Sequence, residues 1–165
     1  MSLVLDRPDW REFIKGKWLL WDTNAISDVV SYDGTEIFEI LRGLNVVNVY
    51  IHPVQLESLA TNNQKDRLAR SNILISEFTE IPLIGKIVIK AKEIQTALSG
   101  DVQPSIADLY LAGTLGAHAG GQIVLLTRNV KDFPDPYFKR NCYLQFEGPR
   151  NTISTALITI NNEYF

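Results

Sequence analysis

Trp18-Leu19-Leu20-Trp21 is a short apolar run of the kind that builds a buried strand, and it breaks off at once into Asp22-Thr23-Asn24. An interior strand must be covered on both faces, so the rest of the chain has to supply helices around it. Further strand-like runs fall at 46–51, 123–127 and 142–146, with 154–160 as an extra edge strand. Helical segments separate them. Pro53 opens one, in the first-turn position that tolerates proline. Residues 64–78 and 84–98 form others, and Gln103-Pro104-Ser105 starts a last helix that Gly120-Gly121 stops. Strands alternating with helices predict an α/β domain with a mostly parallel central sheet flanked by helices.

At 165 residues, 45% of them hydrophobic, the chain suits a single domain. Its core is expected at about 17–147, with N-terminal and C-terminal additions. No run nears the roughly 18 apolar residues of a membrane span. Asp6, Asp9, Arg11 and Glu12 break up any secretory-type start, so a cytoplasmic location and no membrane partner are expected. Cys142 is the single cysteine and excludes an internal disulfide or a cysteine-rich zinc site. Sixteen Lys and Arg against nineteen Asp and Glu leave a net charge of −3. Charge alone will not hold nucleic acid on such a surface, so that role needs a local basic patch or a bound cation.

The acids are placed suggestively. Ligands of open α/β sheets gather at the carboxyl ends of the strands. Asp22 ends the first strand, Glu57 lies one turn into the helix after the second, and Asp132 follows the third. Asp108 shares a helical stripe with Leu111, Ala112 and Leu115, which puts a carboxylate on a core-facing side. Each has a plain structural use: Asp22 as a helix cap, Asp108 in a capping box with Ser105, Glu57 on a solvated helix, Asp132 in a turn. Together they would repel one another unless a cation held them, and magnesium favours such all-oxygen sites. His52 and His118 are too far apart in sequence for a helix-spaced metal pair. No phosphate-binding glycine loop or Gly-x-Ser-x-Gly elbow is present.

Leu19-Leu20-Trp21-Asp22-Thr23-Asn24, Pro53-Val54-Gln55-Leu56-Glu57 and the stretch from Ser105 to Phe133, with its Thr127-Arg128-Asn129 and Asp132-Phe133, resemble the motifs of the PIN-domain family. Tryptophan precedes Asp22 where a smaller aliphatic is common in that family. The resemblance implies a Rossmann-like fold and ribonuclease activity dependent on Mg2+ or Mn2+, as in toxins of toxin–antitoxin pairs. It implies a catalytic, metal-binding set of Asp22, Glu57, Asp108 and Asp132, with Asn129 the rival for the fourth place. Asn24, Thr127, Arg128 and Asn129 are then the expected substrate contacts. RNA, an antitoxin protein and a second copy in a homodimer are the expected partners. Two other readings fit parts of the pattern: a PIN-fold interaction module that does not cut, and a haloacid-dehalogenase-like phosphatase. The second wants an acid where Asn24 stands.

Overall fold

The computed structural model describes residues 2–5, 9–31, 43–61, 65–98, 100, 102–147 and 152–165. Among them are seven strands of one sheet: β1 (Ser2–Leu5), β2 (Trp18–Trp21), β3 (Val47–Tyr50), β4 (Thr79–Glu80), β5 (Ile123–Thr127), β6 (Phe138–Glu147) and β7 (Thr152–Ile160). Their spatial order is β1-β6-β7-β5-β2-β3-β4. The helices are α1 (Trp10–Ile14), α2 (Thr23–Ser31), α3 (His52–Thr61), α4 (Lys65–Ser76), α5 (Gly85–Ala97) and α6 (Ile106–Ala117).

The α/β architecture expected from the sequence is present. Strands β5, β2, β3 and β4 run parallel, with Leu20 opposite both Leu125 and Val49. Their side chains are buried almost without break from Leu19 to Trp21 and along β5, as strands covered on both faces require. An antiparallel flank of β7, β6 and β1 completes the sheet.

One strand lies elsewhere than its sequence suggested. Residues 154–160 were expected at an edge, but β7 is hydrogen-bonded to β5 on one side and β6 on the other. Ala156, Leu157 and Ile158 are fully buried. Three consecutive apolar residues point to both faces of the sheet, and only an interior position covers both. At the other terminus, β1 pairs with β6, and α1 buries Trp10 and Ile14 in the common core.

Helices α5 and α6 pack unusually close. A Cβ built on Gly113 would stand 2.5 Å from the Ile87 carbonyl oxygen and 2.9 Å from the Ala91 Cβ. The obstructing atoms belong to backbone and to a short side chain, so neither can swing aside. Gly113→Ala should therefore lower unfolding stability by about 1–3 kcal/mol, the range for overpacked cores. Urea unfolding checks this, and an unchanged midpoint would mean that the two helices do not approach so closely.

Candidate active site

Asp22 is the first residue beyond β2, and its carbonyl accepts the Ile26 N–H that opens α2. Glu57 sits in the second turn of α3, which starts where β3 ends. Asp108 lies in the first turn of α6. Asp132 closes the 3₁₀ turn Val130–Asp132 just after β5. All four side chains line one open cleft of about 490 Å³ at the carboxyl ends of the parallel strands, together with Thr23, Asn24, Ser27, Gln103, Ser105, Arg128 and Asn129.

Each carboxylate is held by a neighbour. Asp22, only 3% exposed, accepts the Thr23 N–H (2.6 Å), the Asn24 amide (2.6 Å) and the Thr127 hydroxyl (2.5 Å). Thr23 also donates its hydroxyl to Glu57 Oε2 at 2.5 Å, tying α2 to α3 across the cleft. Ser105 caps α6 through a reciprocal pair. Asp108 N–H donates to Ser105 Oγ, and Ser105 N–H donates to Asp108 Oδ2, both at 3.1 Å. The Ser105 hydroxyl adds a 2.6 Å bond to that oxygen. Asp132 receives the Asn129 side-chain amide. The two rivals for the fourth place thus both face the cleft, bonded to each other.

Burial decides the electrostatics of Asp22. Desolvation pushes its carboxyl from 3.8 to about 6, against the Thr127 and Thr23 hydrogen bonds, and the neighbouring charges of Asp108 and Glu57 push the same way. Asp132 is also raised, first by burial and then by Asp108, with Asn129 and Lys131 opposing. Among the described residues no cation offsets the Asp22 charge, so ionising it costs free energy in this setting.

The donor set is entirely oxygen, which suits a hard divalent ion. Among the described residues, no three Asp, Glu, His or Cys side chains are grouped closely enough to hold one ion directly. The cleft therefore fits a largely hydrated ion held by one or two carboxylates at a time, the habit of Mg2+. A closed all-protein cage would not fit these residues.

Among the expected substrate contacts, Thr127 is the one turned inward, away from the cleft lining. It is fully buried, and its hydroxyl serves Asp22 while accepting the Asn129 N–H at 3.0 Å. Asn24 lines the cleft but is occupied on both sides, donating to Asp22 and accepting the Arg128 N–H at 2.8 Å. Arg128 presents a half-exposed side chain and pairs with Asp28 at 3.5 Å. The histidines stand apart. His52 is exposed and meets Glu80 at 3.4 Å. His118 ends α6 beside the Trp18 ring.

The Thr23–Glu57 bond leaves no local trace, because that contact depends on how α2 packs against α3. Gln103 carried no signal either, whereas the capping-box spacing had already pointed to Ser105. Among the described residues, no helix is long and apolar enough to cross a membrane.

No protein-family model matches the chain, and no curated protein matches it. Among solved structures, a toxin–antitoxin complex from Klebsiella pneumoniae is similar over 72% of this chain and 92% of its own, at 20% identity and a TM-score of 0.54. TrmN from Thermus thermophilus aligns over 89% of this chain and 45% of its own, with 13% identity and a TM-score of 0.37. What the Klebsiella structure and this chain share is the α/β fold that carries the cleft.

Proposed function

We propose that the chain is a PIN-type ribonuclease that hydrolyses RNA phosphodiester bonds with Mg2+ or Mn2+, acting in the cytoplasm as the toxin of a toxin–antitoxin pair. The observation that carries this reading is the placement of Asp22, Glu57, Asp108 and Asp132 around one cleft at the strand ends. The likeness to a toxin–antitoxin complex supports the toxin part and the expectation of an antitoxin partner.

A divalent ion held here would lower the pKa of an attacking water and offset charge on the leaving oxygen. The chain's own residues prepare that chemistry. Thr127, Asn24 and Thr23 fix both oxygens of Asp22 in a buried setting. Thr23 and Ser105 orient Glu57 and Asp108 from either side. Arg128 offers positive charge at the rim for a phosphate of the strand. Such a site works only when its acids are ionised, so metal affinity should fall with pH as protons compete for the ligands.

Incubating the purified protein with single-stranded RNA and Mn2+ tests the reading. Cleavage that stops on adding EDTA is expected, with no release of phosphate from small phosphate esters. Phosphate-ester hydrolysis alone would favour the phosphatase reading. Metal binding without any cut would favour the interaction module.

A further inference from the structure

Arg128 is not alone at the rim. Asp28 lies on α2 one turn beyond Asn24 and is only 12% exposed. Its Oδ1 meets Arg128 Nη1 at 3.5 Å, while its Oδ2 is buried with no hydrogen-bond partner among the described residues. Arg67 reaches over from α4, bonds the Ser31 hydroxyl at the end of α2, and contributes a second positive charge to Asp28. Burial raises the Asp28 carboxyl, and Arg128 and Arg67 counteract it, so both guanidinium groups act on this one acid. Asp28 does not line the cleft, whereas Arg128 does.

We infer that Asp28 is a positioning residue for RNA binding, acting through Arg128 and resting on the ribonuclease reading above. A guanidinium presents five donors in a planar fork. One edge of Arg128 is turned to Asp28, and its side chain remains 52% exposed, which leaves the remaining donors for a phosphate. The backbone of Arg128 is fixed as well, through its N–H to Asn24. Anchored at both ends, the side chain loses less freedom when a phosphate arrives, so it binds more tightly than an unanchored arginine.

The test compares wild type, Asp28→Asn, Arg128→Ala and the double variant. It measures KM and kcat on a labelled mixed-sequence single-stranded RNA with Mn2+, and the Mn2+ affinity without RNA. Asp28→Asn should raise KM about 2- to 5-fold, the size of a partly exposed ion-pair contribution, with kcat and Mn2+ affinity unchanged. Arg128→Ala should raise KM at least as much and make the salt dependence shallower by about 0.7, the loss of one single-strand phosphate contact. The double variant should be no worse than Arg128→Ala alone, because Asp28 acts only through Arg128.

A purely structural role would lower the melting temperature of Asp28→Asn and leave KM alone, which overturns the inference. Tighter RNA binding by Asp28→Asn also overturns it, since Asp28 would then merely compete with phosphate. If Asp28→Asn does not fold, Arg128→Lys decides: it keeps the charge and loses the fork, and an unchanged KM rejects positioning. A wild-type protein that neither binds nor cuts RNA removes the ribonuclease reading itself. One that cuts normally while Asp28→Asn is indistinguishable from it removes only this inference.

Discussion

Asp22→Asn should reduce RNA cleavage by about 100-fold or more at saturating Mn2+, in the range found for removing one electrostatic group from a reacting centre. The substitution keeps the shape of the side chain and removes the charge that would hold the ion. The variant should stay folded, because its oxygen can still accept the Thr127 hydroxyl and the Asn24 amide. The conflict that remains is between the new amide and the Thr23 N–H, which now bonds Asp22 Oδ1. Rates on RNA, with circular dichroism as a check on folding, measure the outcome. Cleavage at the wild-type rate would remove Asp22 from the site.

The second large effect is on stability and its dependence on pH. Asp22 ionises near 3.8 when exposed and near 6 in the fold, so between these values the folded state holds the extra proton. Its contribution is most favourable below about 3.8 and is lost as pH rises through about 6. The difference corresponds to about 3 kcal/mol once Asp22 is fully charged. Without metal, wild type should therefore lose stability between pH 4 and pH 7 relative to Asp22→Asn, by roughly 6–12 °C in melting temperature for a domain of this size. Mn2+ should return much of it to wild type at neutral pH, where the carboxylate is free to bind, and little at pH 5. Thermal melts of both proteins across this range, with and without Mn2+, give the answer. Parallel curves for the two proteins would mean that Asp22 pays no penalty for its charge.

What the sequence revealed depended on how local each signal was. The abrupt end of Trp18–Trp21 on Asp22 and the helical stripe through Asp108, Leu111, Ala112 and Leu115 are local patterns, and both acids line the cleft. The Ser105–Asp108 capping box was legible for the same reason, and both of its bonds form. That Asp108 is at once a cap and a cleft residue shows that the two readings were never exclusive.

Long-range placement was not legible. The apolar run Ala156-Leu157-Ile158 calls for an interior strand, but it does not say that β5 and β6 are its neighbours, because strand order comes from packing the whole sheet. Two-residue β4 is too short to leave a pattern. The family resemblance counts Thr127 among the substrate contacts by its place in a motif, and a motif does not say that the hydroxyl turns inward to Asp22. Asp28 has a faint trace in sequence, four residues after Asn24 on one helical face, yet its partner Arg128 lies a hundred positions away.

Anomalous diffraction from crystals grown with Mn2+ would show directly whether these acids hold a metal. The expected map has a manganese peak inside the cleft, within ligand distance of Asp22 or reached from it through ordered water, with Glu57, Asp108 or Asp132 beside it. A protein that cuts RNA with Mn2+ but shows its manganese peak away from these side chains would contradict the assignment of this cleft as the catalytic centre.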